Sequence, residues 1–182
     1  VYNLSSGVST LERLASDGRR QIMAFVYPGD FIGFTTGAFY SVSGRALASL
    51  TACRWHMRDL EKLYKSHPKL EQRVHEIASR VLAATLDQIF VLGRKNAVEK
   101  IAYFLLYIDK RQKQFDGHAD SFILPMTRVD IADYLGITVE TVSRAFSALK
   151  KLDAIDLSQA WVVKLKDRKL LSEVADHFGP MR

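Results

Sequence analysis

An α+β fold is predicted for this chain, and three observations predict it. Short strand-like runs broken by turn residues fill the first third. A long apolar repeat at steps of four and three follows. The last third carries two capped amphipathic helices and then a hairpin pattern. Of the 182 residues, 48% are hydrophobic and 25% charged, which suits one or two globular domains with a real core. The apolar runs are all far shorter than the roughly 18 residues a membrane span needs, so no membrane association is expected. Val1-Tyr2-Asn3-Leu4 has neither a basic start nor a long apolar stretch, so it does not read as a signal peptide. The single cysteine, Cys53, has no internal disulfide partner, and a reducing, cytoplasmic setting is the expectation.

The elements follow in order. Val1 to about Met57 reads as short strands. Ser5-Ser6-Gly7 ends the first, Val8 to Leu14 is the second, and Ser16-Asp17-Gly18 is a hairpin turn. Gln21 to Val26 is the next strand, closed by Pro28-Gly29-Asp30. After a looser stretch from Thr35 to Ser43, Arg45 to Met57 holds one bent strand or two short ones. Strands and glycines at this spacing suggest a small barrel or jelly roll. Asp59 is placed to cap a short helix through Tyr64, and Ser66-His67-Pro68 restarts a long one, with Pro68 in its first turn. Leu70, Val74, Ile77, Val81, Ala84, Gln88 and Val91 then recur as a seam of heptad type, with Gly93 as the expected end. Such a seam is either a core-facing stripe or a dimer interface. Its length and polar Gln88 favour the dimer. Asn96 opens a further helix with Ile101, Phe104, Leu105 and Ile108 on one face, and Lys110 to Asp120, polar and holding Gly117, reads as a loop.

Pro125 to Leu152 is the informative segment. Thr127-x-x-Asp130 is a capping pattern that starts a first helix. Ile131, Ala132 and Leu135 give it an inward face, Gly136 supplies the turn, and Thr138 caps a second helix. Val142, Phe146 and Leu149 form the buried stripe of that helix, opposite Glu140, Ser143, Arg144 and Ser147. A helix presenting Glu, Ser and Arg in its first two turns can offer them to a DNA major groove. Arg bonds both acceptors of a guanine, Glu accepts from a cytosine amino group, and Ser bonds either way. Thr127, Arg128, Thr138 and Thr141 stand at helix starts, where hydroxyls, a guanidinium and free N–H groups can hold phosphates. A helical hairpin with a solvated polar face is the plainer alternative. Ala154 to Leu157 and Trp161 to Leu165 form a hairpin around Ser158-Gln159-Ala160, which makes the arrangement a winged helix-turn-helix.

Net charge gives this reading little help. The whole chain carries +6, yet Pro125 to Arg182 holds 9 Lys and Arg against 8 Asp and Glu, while residues 1–124 hold 17 against 12. The DNA argument therefore rests on the geometry of the motif.

The segment MTRVDIADYLGITVETVSRAF resembles the DNA-binding domain of the CRP/FNR family, in particular its FNR and FixK branches, and SDGRRQIMAFVYPGDFIGF (Ser16 to Phe34) resembles their effector-domain β-roll. The resemblance implies a cyclic-nucleotide-binding-like β-roll over 1–66, a dimerisation helix over 67–93 and a winged helix-turn-helix over 94–182. It implies a homodimer on double-stranded DNA, with RNA polymerase as a partner. The family's effector domain has several strands before the point where Val1 stands, so an N-terminally incomplete domain is expected. FNR-like members read TTGAT-type half-sites with a Glu-x-x-Ser-Arg set, which falls here on Glu140, Ser143 and Arg144. CRP-like members place an Arg before that Glu, where this chain has Val139.

The signal is less legible. Cyclic-AMP-binding members carry a Glu just after the Gly-Asp-Phe-Ile-Gly run and an Arg-Ser pair. This chain has Phe34 after Gly33, and Ser43-Gly44 in place of the pair, with Arg45 displaced, which argues against cyclic AMP. Cys53 aligns with the β-roll cysteine of iron–sulfur members. One thiolate cannot hold a cluster that needs four ligands, so a metal role for Cys53 requires cysteines upstream of Val1. A buried thiol is the plainer reading. The five histidines lack metal-ligand spacing, and haem through His56 or His75 has no positive support. The cofactor is left open. A regulatory module without a DNA role is the rival from another class. An enzyme is not expected, because no nucleophile–base pair, phosphate-binding glycine loop or metal set appears.

Overall fold

The computed structural model describes residues 1–35, 37, 39–116, 121–159 and 161–176. The chain divides into two compact units, Val1–Ile89 and Phe90–Arg182.

The first unit opens with six strands: β1 (Tyr2–Ser6), β2 (Ser9–Leu14), β3 (Arg20–Val26), β4 (Phe31–Ile32), β5 (Ser43–Ala46) and β6 (Thr51–Arg54). They form two three-stranded antiparallel sheets, ordered β4-β1-β6 and β3-β2-β5. The chain moves between the sheets after β1, which is the habit of a roll. Gly7 makes that first crossing at φ +80°, where a Cβ would stand 2.5 Å from the Ser49 carbonyl oxygen. The β2–β3 hairpin closes with Ala15 N–H donating to Arg19 O (2.8 Å). The Pro28-Gly29-Asp30 turn is latched from both sides, since the Tyr27 N–H donates to Asp30 Oδ2 (2.9 Å) and the Asp30 N–H to Tyr27 O (3.0 Å). Leu4, Ile22, Phe25, Val26 and Leu60 are buried as its core.

Two helix limits differ from expectation here. The first helix, α1 (Met57–Ser66), is entered at His56, not Asp59. The Asp59 N–H already donates to His56 O (3.0 Å), so Asp59 sits inside the first turn and acts on the helix dipole. The long helix α2 (Pro68–Arg94) runs through Gly93. Gly93 is absent from the positive-φ glycines, and Lys95 N–H still donates to Val91 O (3.3 Å), so the helical ladder continues past it.

The second unit holds α3 (Ala97–Asp116), β7 (Ser121–Ile123), α4 (Arg128–Leu135), α5 (Val139–Lys151), β8 (Ile155–Gln159), β9 (Val162–Leu165) and α6 (Arg168–Ala175). Asn96 opens α3 as expected. Its Oδ1 accepts from Val98 N (3.0 Å) and Glu99 N (3.1 Å), and Glu99 Oε2 accepts back from Asn96 N (2.8 Å), a reciprocal capping box. The helix then continues to Asp116 where a loop from Lys110 is expected from the sequence. Lys, Arg and Gln are good helix formers, and Asp109 draws Lys113 (3.1 Å) along the helix and Arg168 from α6. Residues 117–120 of the expected loop lie outside the described residues.

Sheet order in this unit is β7-β9-β8, all antiparallel. The hairpin β8–β9 is displaced by a residue or more from the sequence reading, with Ser158 and Gln159 inside β8, and Ala160 lies outside the described residues. Strand β7 and helix α6 go beyond that reading. β7 has only three residues and becomes a strand by pairing Phe122 with Val163. Packing of α3 against α5 and α6 builds the core, where Ile101, Phe104, Leu105, Ile108, Ile131, Leu135, Val142, Leu149 and Leu171 are fully buried. Among the described residues, no helix is long and apolar enough to cross a membrane.

Candidate nucleic-acid interface

The α4–turn–α5 unit is built by its caps. Thr127 Oγ1 accepts from Asp130 N (3.1 Å), and Asp130 Oδ2 accepts from Thr127 N (2.9 Å) and from the Thr127 hydroxyl (2.7 Å). Each member satisfies an otherwise orphaned donor of the helix start. α4 stops at Gly136, whose φ of 62° and ψ of 41° are left-handed, and the next N–H, of Ile137, returns to Ala132 O (3.2 Å). The Lys100 ammonium, buried, donates to Leu135 O (3.2 Å), covering a carbonyl at the same helix end. Burial pushes the Lys100 pKa down from the usual lysine range. Thr138 then caps α5, its Oγ1 accepting from Thr141 N (3.2 Å).

With α5 so started, its period decides the rest. Val142, Ala145, Phe146 and Leu149 are buried, and Glu140, Ser143, Arg144 and Ser147 are exposed. Ser143 donates to Val139 O (3.1 Å) and Ser147 to Ser143 O (3.0 Å) along the helix. Arg144 Nη2 donates to Thr141 Oγ1 (3.3 Å). The Glu140 carboxyl is held below the usual carboxylate range by its own backbone N–H, then by the Thr138 hydroxyl, with the positive charge of Arg144 adding to both. One helix face thus offers an acceptor, a hydroxyl and a guanidinium over its first two turns.

The expected phosphate-holding residues are placed less uniformly. Thr127, Thr138 and Thr141 stand at the two helix starts. Arg128 lies with its guanidinium carbon 3.4 Å from the centroid of the Phe146 ring, and its Nη1 is buried with no hydrogen-bond partner. Burial pushes its pKa down. The aromatic face holds the cation.

The apolar seam expected on α2 divides in the structure. Val74 and Val91 are buried, Leu70, Ile77 and Gln88 are half-buried, and Val81 and Ala84 are exposed. A neighbouring row, Leu82 (61% exposed), Leu86 (59%) and Ile89 (62%), lies open. Its spacing of four and three is a second apolar stripe that the sequence already contained. Cys53 is exposed on β6, its Sγ 3.7 Å from Ser5 Oγ. Among the described residues, no group of three His, Cys, Asp or Glu side chains is arranged to hold a metal ion.

Comparison with known proteins places this architecture. Residues 99–174 match the Crp-like helix-turn-helix domain. The nitrogen fixation regulation protein FixK of Bradyrhizobium diazoefficiens is 42% identical over 154 residues, a match covering 85% of this chain and 65% of that protein. FixK of Rhizobium meliloti is 34% identical over 175 residues, covering 96% of this chain and 78% of the relative. The structure of FixK2 from Bradyrhizobium japonicum superposes with a TM-score of 0.85 at 35% identity, over 95% of this chain and 85% of that one. The chain thus spans about two thirds of the Bradyrhizobium relative's length. Its capped α4–Gly136–α5 unit falls inside the matched domain, and the likeness runs on through the strands and α2: the chain belongs to the CRP/FNR family of DNA-binding transcription regulators and is FixK-like within it.

Proposed function

We propose that this protein binds palindromic sites with TTGAT-like half-sites as a homodimer, under control of its N-terminal β-roll. The exposed face of α5 carries this reading: Glu140, Ser143 and Arg144 project from a helix whose opposite side is anchored by Val142, Phe146 and Leu149. Arg144 is assigned to a guanine, Glu140 to a cytosine amino group, and Ser143 to a neighbouring base edge. Val139 stands where CRP-like members carry an arginine, which favours the FNR/FixK type of half-site. Thr127, Arg128 and Thr138 are assigned to phosphates at the two helix starts.

The homodimer is proposed through α2, whose exposed Val81, Leu82, Leu86 and Ile89 form an apolar surface that a second copy would cover. Two-fold pairing sets the two recognition helices one helical turn of DNA apart, which a palindrome matches. In the proposed mechanism, a change in the β-roll shifts the population of the pairing geometry that meets this spacing. RNA polymerase is the proposed protein partner, in the cytoplasm.

The test is a mobility-shift titration with a TTGAT palindrome against scrambled DNA of equal length. Specific binding that weakens steeply with salt is expected. Replacing Arg144 with Ala should remove about 1–3 kcal/mol of discrimination at one base position. Equal affinity for both DNAs would refute the reading.

A further inference from the structure

Thr141 stands in the first turn of α5, a place that suits a phosphate ligand. Its contacts point elsewhere. The half-buried Thr141 hydroxyl accepts from Arg144 Nη2 at 3.3 Å and lies 3.0 Å from Thr138 Oγ1. Thr138 Oγ1 in turn accepts from the Thr141 backbone N–H at 3.2 Å, and, after its own backbone N–H, the Thr138 hydroxyl and the Arg144 charge both hold the Glu140 carboxyl below the usual carboxylate range.

A hydroxyl has one proton and two lone pairs. With Thr141 Oγ1 accepting from the guanidinium, its own proton can go to Thr138 Oγ1, either hydroxyl being able to donate across their 3.0 Å contact. Linked donors of this kind polarise one another. Arg144 and Thr138, the outer members of this hydrogen-bonded chain, are exposed side chains. Fixing them before binding lowers the ordering entropy that must otherwise be supplied on contact with DNA.

We infer that Thr141 is a specificity-positioning residue: its hydroxyl, braced by Thr138, holds the Arg144 guanidinium in the orientation that reads its base, and it is not primarily a phosphate ligand. This rests on the assignment of Arg144 as a base reader. It predicts a signature that phosphate contact cannot give, because phosphates carry no sequence information.

The experiment uses the full chain and a set of palindromes with each half-site position substituted in turn, titrated by fluorescence anisotropy at several salt concentrations. Arg144→Ala first marks the base position at which discrimination is lost. Thr141→Val, which keeps the branched shape and removes the hydroxyl, should lower discrimination at that same position about three- to tenfold, with the salt slope unchanged. Thr141→Ser should restore it. A uniform loss at all positions with a salt slope shallower by about one would establish a phosphate contact and overturn the inference. So would Thr141→Val discriminating like the parent. If Arg144→Ala changes no position, the base-reading assignment itself fails, which is a separate result.

Discussion

Replacing Gly136 with Ala tests how the turn between α4 and α5 sets the recognition helix. The glycine has φ +62°, and a Cβ built there would meet only Leu92 Cδ2, at 3.8 Å, an ordinary contact. Steric overlap with the rest of the protein therefore contributes nothing. What remains is the left-handed backbone, which costs an L-residue roughly 1–2 kcal/mol. Stiffening of the unfolded chain by Ala offsets about 0.4–1 kcal/mol of this. The net expectation for Gly136→Ala is a destabilisation of up to about 1.6 kcal/mol, and less for Gly136→Asn, since Asn tolerates this region better. The chain has one tryptophan in each unit, Trp55 and Trp161. A Trp55→Phe background makes Trp161 the reporter of the second unit during urea unfolding. Base discrimination by the folded fraction should not change, because the caps at Thr127 and Thr138 remain. An Ala variant more stable than the parent, or a ranking with Asn below Ala, would refute the backbone account.

Other expectations follow from the same geometry. Leu149 is fully buried on α5, so Leu149→Ala should destabilise the second unit by about 2–5 kcal/mol in the same unfolding assay. Leu82→Lys with Ile89→Lys should raise the dimer dissociation constant in sedimentation equilibrium and weaken binding to a full palindrome more than to a half-site; an unchanged dimer would send the interface elsewhere. Lys100 has a folded pKa below the ordinary lysine value, so its charge opposes folding below that folded pKa. Between the folded and the unfolded pKa the unfolded chain binds more protons, and stability must rise with pH there. The parent should therefore gain stability relative to Lys100→Met as pH rises towards the ordinary lysine value of 10.5; the opposite slope would remove the burial argument.

Local signals made the reading head legible. Thr127, Gly136 and Thr138 act through bonds to residues no more than four positions away, and the buried stripe of α5 follows from a period of 3.6. The spacing Glu140–Ser143–Arg144 needs nothing beyond that helix. Asn96 was readable for the same reason. The second half of α3 is highly charged, a composition it shares with loops. Lys110 to Gln114 are helix formers whose place is fixed by Asp109 and by Gln112 donating to Ile123 O (2.6 Å), and Asp109 also binds Arg168 far along the chain.

By itself, then, the sequence determined the capped helix pair, the outward Glu-Ser-Arg face and the strand-then-helix order. Tertiary structure decided what depends on distant partners. It made a strand of three residues at β7 by pairing Phe122 with Val163, and it laid Arg128 on Phe146. On α2 it buried Val74 and Val91 and left Leu82, Leu86 and Ile89 open. Two apolar stripes of equal period lie on that helix, and periodicity cannot rank them. Only packing decides: of the first stripe it covers Val74 and Val91 and leaves Val81 and Ala84 as exposed as the second.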